Sequence, residues 1–355
     1  MLYQYFPVRT RARNMFVDDQ QVIDEHCALP ANVKIDKKII PVNIDLPNIT
    51  TGNPQTIDAK IAAEVLTVPG NKQWMVFVNG FSSSIALWAY QRKYFLENGW
   101  NLVCYDQIGQ GESSRPQDVV YSMQGHAESL DALLTALKIK DFVLFGLSAG
   151  GMITQEYAIR YPEKARAIVL ASTSYACKGK LKLLLDTFEN ILTSALPDQD
   201  KLQLFYQVLV SNIFSGSFVD SFQNYMAELI HANVTRNTIP GLLGAVKGLQ
   251  GFDRRDDLAN IKVPTVIVGG EYDALFSLTD LEHMNSVIPN SRRVILLGET
   301  SSHALVVEMF EDLNEAVLHE LQRIHVGSGN HFPVGVENTF AATAVPEHLS
   351  LSLNF

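Results

Sequence analysis

A serine flanked by glycines stands where an apolar run gives way to a helical pattern. The segment reads Gly146-Leu147-Ser148-Ala149-Gly150-Gly151; it follows the run Phe142 to Phe145 and precedes a helical pattern that begins near Met152. A side chain on so tight a strand-to-helix turn is held clear of the sheet, and glycines two positions to either side avoid clashes there. The arrangement predicts nucleophilic attack by Ser148. The competing interpretation is a glycine-rich turn in which Ser148 caps the following helix.

A serine hydroxyl attacks well only when a base removes its proton, and the base must itself be oriented by an acid. Asp273 lies just beyond one predicted strand, and His303 follows the last predicted strand, 30 residues later. Because the carboxyl ends of parallel strands share one edge of a sheet, we expect these side chains to meet there. The predicted catalytic set is Ser148, Asp273 and His303. Glu271 is the rival acid, and His283 is the rival base.

Attack on a carbonyl group also needs two backbone N–H groups aimed at the oxygen that becomes negative. The amide of Ala149, directly after the serine, is one predicted donor. The amide of Phe81, in the loop Asn79 to Ser84, is the other. An ordinary Asn-Gly turn is the alternative for this loop. The loop Asp106 to Ser113 is assigned a structural role, because Asp106 is expected to hold its own loop.

The elements that must position these groups are short apolar strands that alternate with amphipathic helices. Helical periodicity fits Glu128 to Leu137 and Glu308 to Ile324. Apolar strands separated by helices are typical of a parallel sheet covered on both faces. The predicted fold class is α/β, a mostly parallel, doubly wound sheet with an inserted helical cap. The predicted strands are Trp74–Val78, Trp100–Tyr105, Phe142–Phe145, Ala167–Ala171, Pro264–Val268 and Arg293–Leu297.

The cap is predicted where the strands stop and large apolar residues recur at helical spacing. They do so in roughly four segments, broken near Pro197, Gly216 and Pro240. We expect most of these side chains to pack against the body and a minority to line a ligand pocket. The predicted parts of the chain are an N-terminal arm with edge strands (1–57), an α/β core (58–177 and 257–325), the helical cap (178–256) and a C-terminal tail (326–355).

The composition limits the partners that we expect. A formal net charge of −10 disfavours nucleic acid and anionic membranes, because the cations that would neutralise phosphates are too few. No apolar run reaches the roughly 18 residues that span a bilayer, and no apolar segment follows the N-terminal arginines to complete a secretory signal. Cys27, Cys104 and Cys177 form neither a CxxC motif nor an even-numbered framework, which favours a reducing, cytoplasmic location. No cofactor and no metal are expected.

Residues from about 70 to 325 resemble the α/β-hydrolase superfamily, in the branch that carries a helical cap. The resemblance implies an α/β-hydrolase fold with a Ser-Asp-His triad, and it is barely specific for substrate. Asn79 stands where the family usually has histidine, and the run before His303 lacks the usual glycines. An Asn-Gly pair at this loop also resembles the hydroxyacyl transferases that build 3-hydroxyalkanoyl products. The motifs that carry the resemblance are Asn79-Gly80-Phe81, Asp106 to Ser113, the turn at Ser148, Arg160 to Glu163, Phe252 to Leu258, Gly269 to Asp273, and His303.

Three functions remain open at this point. The first is a serine hydrolase that acts on carboxylic esters or thioesters of a largely apolar, small-molecule acyl substrate. The second is an acyltransferase that uses the same triad, with CoA or an acyl-carrier thioester as partner. Lys178, Lys180 and Lys182 at the cap entrance would meet its phosphates, although a solvated face is the favoured interpretation of these lysines. The third is a non-enzymatic relative that acts as a binding protein.

Overall fold

In the part of the chain that the structure describes, the core of the fold is a sheet of nine strands. The computed structural model describes residues 5–6 and 26–324. Most of the predicted N-terminal arm before residue 26 and the whole predicted tail 326–355 therefore lie outside the described residues. The strands are β1 (Tyr5–Phe6), β2 (Lys34–Pro47), β3 (Pro54–Thr67), β4 (Gln73–Val78), β5 (Trp100–Tyr105), β6 (Phe142–Leu147), β7 (Ala165–Ala171), β8 (Thr265–Gly270) and β9 (Ser291–Leu296).

The strand order across the sheet is β1-β9-β8-β7-β6-β4-β5-β3-β2. All neighbours from β1 to β5 in this order pair in parallel, whereas β3 pairs with β5 and with β2 in antiparallel fashion. This confirms the predicted α/β class with a mostly parallel sheet. The hairpin of β2 and β3 extends one edge, and β3 crosses the boundary placed between residues 57 and 58. Pairing with β5 makes this hairpin part of the sheet.

Helices cover both faces of the sheet. On β4, Val76 and Val78 face one apolar core, and Met75 and Phe77 face the other, as the two-residue period of a strand requires. Within the described residues the helices are α1 (Ala89–Glu97), α2 (Met123–Leu137), α3 (Ala149–Arg160), α4 (Gly179–Thr193), α5 (Asp198–Ile213), α6 (Gly216–Ser221), α7 (Gln223–Arg236), α8 (Ile239–Gln250), α9 (Leu278–Val287), α10 (Leu305–Glu308) and α11 (Phe310–Arg323).

Three helix boundaries differ from the predicted ones. Helix α2 begins five residues earlier than its apolar stripe, because the Ser122 side chain accepts a hydrogen bond from the Gly125 amide and caps it. Helix α3 begins at Ala149 rather than near Met152, directly after the serine. The helix predicted from Glu308 to Ile324 begins at Phe310 instead, as α11, because Glu308 is the last residue of the separate short helix α10.

The insertion after β7 contains five helices, α4 to α8, where the sequence indicates about four segments. Pro240 lies in the first turn of α8, which Thr238 caps, so this proline begins a helix instead of interrupting one. An isolated bridge between Ala176 and Asp253 joins the two ends of the insertion. None of the helices in the described part of the chain combines the length and the apolarity needed to cross a membrane.

Candidate active site

Ser148 occupies a strained turn between β6 and α3. Its φ is 54° and its ψ is −117°, a backbone conformation that persists only where the surroundings enforce it. A Cβ atom on Gly146 would lie 2.4 Å from the Gly150 carbonyl oxygen, and one on Gly150 would lie 2.1 Å from the Val78 carbonyl oxygen. The two glycines are therefore needed because α3 passes directly over β4 and β6.

The structure brings Ser148, Asp273 and His303 together. Ser148 Oγ lies 3.0 Å from His303 Nε2, and His303 Nδ1 lies 2.9 Å from Asp273 Oδ2. Both polar partners are shielded from water, since the side chains of His303 and Asp273 are 7% and 2% exposed. The three residues follow β6, β8 and β9, whose carboxyl ends lie at one edge of the sheet. This arrangement is a hydroxyl, a base and an orienting acid in series.

The rival acid and base lie elsewhere. Glu271 is exposed, and its carboxylate accepts a 3.4 Å hydrogen bond from the Gly298 amide. His283 belongs to α9 and packs against the ring of Tyr175, with the ring centroids 4.7 Å apart. Neither side chain takes part in the hydrogen-bonded series that contains Ser148.

The loop of the second predicted amide donor passes close to the serine. A Cβ atom on Gly80 would lie 3.6 Å from Ser148 Cβ, so the backbone at Gly80 and Phe81 passes close to Ser148. In the described part of the chain, the Phe81 amide donates no hydrogen bond. The Ala149 amide is the first of α3 and belongs to the four helix amides that lack an intrahelical acceptor. Both amides are available to a ligand oxygen.

Asn79 supplies bracing that sequence reasoning missed at this loop. It is completely buried, its Nδ2 donates to the Tyr105 carbonyl at 3.0 Å, and its Oδ1 accepts from the Trp88 indole at 2.7 Å. Nε2 of Gln107 donates to the Asn79 carbonyl at 2.8 Å. Asn79 thus replaces the histidine that the family resemblance implies. The only signal in the sequence was an asparagine before glycine, which is equally typical of a turn.

Asp106 has the structural role that we predicted for it. Its two oxygens accept hydrogen bonds from the amides of Ile85 and Glu112, each at 2.8 Å. Burial raises the pKa of this carboxyl, and the two amide hydrogen bonds offset part of that rise. The carboxylate joins its own loop to the 3-10 helix that starts at Ile85.

An apolar cavity of about 110 Å³ opens beside Ser148 and His303. Among its lining residues, polar side chains are supplied by Ser83, Ser148 and His303 alone. Leu183 and Leu204 of the cap are 69% and 38% exposed and lie on the outer surface instead. The cap contributes Leu181, Leu184, Leu185, Phe188, Leu209, Ile213, Phe214 and Leu249 to the cavity.

Charged groups near the cap entrance are engaged with one another. Lys178 forms an ion pair with Asp280 at 2.6 Å, and Lys182 forms one with Asp186 at 2.6 Å. Within the residues that the structure describes, no group of three or more His, Cys, Asp and Glu side chains is arranged to hold a metal ion.

A serine on a strained strand-to-helix turn, a buried histidine and aspartate in series with it, and an α/β sheet with a cap are the features by which the chain can be classified. The profile of the alpha/beta hydrolase fold family matches residues 73–301 of this chain. The chain therefore belongs to the α/β-hydrolase fold family and is an α/β-hydrolase enzyme.

Named relatives and solved structures share the same region. The chain is 24% identical over 251 residues to 3-oxoadipate enol-lactonase 2 of Acinetobacter baylyi, covering 71% of this chain and 89% of that protein. It is 25% identical over 278 residues to monoacylglycerol lipase ABHD6 of Homo sapiens, covering 74% and 79%. A thermophilic esterase from Thermogutta terrifontis superposes with a TM-score of 0.65 at 21% identity, covering 81% of this chain and 99% of that one. At such identity the superposition shows the fold alone.

Proposed function

We propose that the chain is a serine hydrolase of carboxylic esters or thioesters with a largely apolar acyl group. The observation that carries the proposal is the hydrogen-bonded series Asp273, His303 and Ser148, which ends on a hydroxyl at the wall of an apolar cavity. The names of the relatives, which include a lactonase, a lipase and an esterase, are consistent with attack on an ester carbonyl.

The mechanism follows from the positions of these groups. Ser148 Oγ attacks the acyl carbon while Nε2 of His303 takes its proton, and Asp273 stabilises the imidazolium that forms. The amides of Phe81 and Ala149 bind the negative oxygen of the tetrahedral intermediate. His303 then protonates the leaving alcohol or thiol, which gives an acyl-enzyme. Water, activated by His303, releases the acid and restores Ser148.

The cavity favours an apolar acyl chain. Leucine and phenylalanine side chains of the cap form most of the wall opposite Ser148, and each methylene that the wall buries contributes about 0.8 kcal/mol, or roughly fourfold in kcat/KM. We expect kcat/KM to rise from acetyl toward medium-chain esters. A flat or falling series from acetyl to decanoyl esters contradicts the apolar assignment.

Acyl transfer from CoA or an acyl carrier is the weaker candidate. Two of the three lysines considered for its phosphates, Lys178 and Lys182, are paired with aspartates. A phosphate would have to compete with those carboxylates. A series of CoA thioesters measured beside the ester series separates the two candidates. An acyltransferase that uses CoA or an acyl carrier should prefer thioesters, and that preference should be lost when Lys178, Lys180 and Lys182 are replaced by alanine.

The proposal includes a cytoplasmic location, because the three cysteines form no disulfide, as is usual in a reducing compartment.

Serine labelling tests the proposal directly. A fluorophosphonate probe should form one adduct, on the peptide that contains Ser148, and Ser148→Ala should lose both the adduct and several powers of ten in kcat. Ser221→Ala is the matched control, because this exposed cap serine lies outside the cavity. An adduct on another serine, or full turnover by Ser148→Ala, overturns the assignment. If the probe does not label the folded wild-type protein, the result favours the hypothesis of a non-enzymatic binding protein.

A further inference from the structure

One cap helix contacts both loops that carry the candidate catalytic groups. Helix α5 reaches the loop of Phe81 through Tyr206, and it reaches the loop of His303 through its last residue, Ile213. We propose that α5 holds the oxyanion donor and the general base at their working separation, with Tyr206 as the positioning residue of the oxyanion loop. This inference rests on the proposed function, because it assigns a role within the same hydrolytic reaction.

The first contact is a hydrogen bond between two hydroxyl groups. Tyr206 Oη lies 2.7 Å from Ser82 Oγ, and Tyr206 is 2% exposed. Ser82 directly follows Phe81 and has a φ of 53°, a left-handed conformation that costs a serine free energy unless its neighbours hold it. Since the backbone at Ser82 is continuous with Phe81, the tie to Tyr206 helps to fix the direction of the Phe81 amide.

Aromatic packing reinforces this first contact. The Phe81 ring lies 6.3 Å from the ring of Phe188 in α4 and 6.0 Å from the ring of Phe205 in α5, measured between centroids. Phe81, which carries the predicted oxyanion amide, is thus packed against the cap, and the next residue, Ser82, is hydrogen-bonded to it.

The second contact uses the carbonyl end of the same helix. The last carbonyls of an α-helix have no intrahelical donor. The Ile213 carbonyl oxygen instead accepts from the Ala304 amide and from Ser302 Oγ, both at 3.0 Å. These donors are the residues on either side of His303. Glu308 extends the junction, since its Oε1 accepts from the Ser215 amide at 3.0 Å and lies 2.5 Å from Ser302 Oγ. The hydroxyl of Ser302 has one proton, so the Ile213 carbonyl and Glu308 share it.

The two contacts are linked mechanically because they lie on one rigid helix, α5. Tyr206 and Ile213 are seven residues apart, which is close to two full turns, so they lie on the same face about 10 Å apart along the axis. A helix of this length behaves as a rigid spacer between the loop of Phe81 and the loop of His303. Displacing α5 would therefore move the oxyanion donor and the base relative to Ser148.

The hydroxyl of Tyr206 adds something that packing does not require. Phenylalanine would fill the same volume, and a buried hydroxyl costs free energy unless it is hydrogen-bonded. Its hydrogen-bond partner is Ser82 Oγ, so the hydroxyl joins the loop to the cap. Because oxyanion binding strengthens as the tetrahedral state forms, we expect loss of the tie to lower kcat rather than to raise KM.

The test removes only that hydroxyl. Tyr206→Phe should lower kcat for p-nitrophenyl acetate by about threefold to tenfold, the effect of one neutral hydrogen bond, with KM changed less than about twofold. Affinity for an alkyl trifluoromethyl ketone, which adds Ser148 Oγ to its carbonyl and forms a hemiketal oxyanion, should fall by the same factor. Ser82→Ala should reproduce both effects, and the double variant should add nothing further. Tyr225→Phe is the control, because it makes the same change in α7, away from the cavity.

The outcomes separate this inference from the proposed function. Three results overturn the positioning role. They are wild-type turnover and ketone affinity in Tyr206→Phe, an effect of Tyr206→Phe on KM alone, and additive losses in the double variant. The rate of fluorophosphonate labelling at Ser148 gives a readout that needs no turnover of an ester. Rapid labelling of a wild-type protein that hydrolyses no ester or thioester defeats the proposed function, whereas Tyr206→Phe labelled at the wild-type rate defeats the positioning role.

Discussion

Replacing Asp273 by asparagine tests the candidate site through the position of a single proton. Oδ1 of Asp273 accepts the amides of Leu275 and Phe276 at 2.8 and 3.0 Å, and Oδ2 lies 2.9 Å from Nδ1 of His303. Asparagine fits these partners in one orientation, because its NH2 group cannot face two amide donors. Its carbonyl oxygen therefore keeps the amides, and its NH2 group turns toward His303.

That orientation puts the imidazole proton on the wrong nitrogen. Nδ1 of His303 must accept from asparagine, so the neutral ring carries its proton on Nε2, which lies 3.0 Å from Ser148 Oγ. A protonated Nε2 cannot take the proton of Ser148. We expect kcat to fall about 10⁴-fold, equivalent to about 5 kcal/mol of transition-state stabilisation. The amide hydrogen bonds survive, so the free energy of unfolding should change little.

The assay compares kcat for a medium-chain p-nitrophenyl ester near neutral pH with the melting temperature of the same samples. Glu271→Gln is the matched control: it makes the same change from carboxylate to amide, two residues away on the same loop. Near-normal turnover by Asp273→Asn refutes the tautomer argument. If Glu271→Gln shows the large fall instead, the orienting acid has to be reassigned to Glu271.

Two further predictions concern folding. Burial lowers the pKa of His126 to about 4. Between about pH 6.5 and pH 4, His126 is therefore protonated in the unfolded chain and neutral in the folded chain. Stability should therefore fall by up to about 3 kcal/mol as the pH drops from about 6.5 toward 4. Urea denaturation across that range should show a shallower dependence for His126→Gln, and an unchanged slope contradicts the assignment. A Cβ atom at Gly150 would meet the Val78 and Asn79 carbonyl oxygens at 2.1 and 2.5 Å, so Gly150→Ala should lower the melting temperature strongly or prevent folding. Gly216→Ala, with nothing within 4 Å of the new atom, should melt near the wild-type temperature, and equal behaviour of the two variants excludes the steric reason.

The sequence by itself determined the features that depend on local pattern. Apolar runs such as Ala167 to Ala171 predict buried strands, because a strand covered on both faces is apolar along nearly its whole length. The glycines around Ser148 predict its turn, because only small residues fit there. The chain order of serine, aspartate and histidine, each after a strand, is equally readable, since parallel strands bring their carboxyl ends to one edge.

The tertiary structure decided what depends on residues far apart in the chain. Asp273 and Glu271 are two residues apart on one loop and both carry a carboxylate, and only the folded loop places Asp273 beside the imidazole of His303. In the sequence, Asn79 indicates only a turn. Its role in bracing the loop depends on hydrogen bonds to Trp88 and Tyr105, which the fold brings next to it. The bond between Tyr206 and Ser82 joins residues 124 positions apart. Periodicity describes which face of an element is buried, whereas a hydrogen bond between elements depends on how those elements dock, and that geometry exists only in the folded chain.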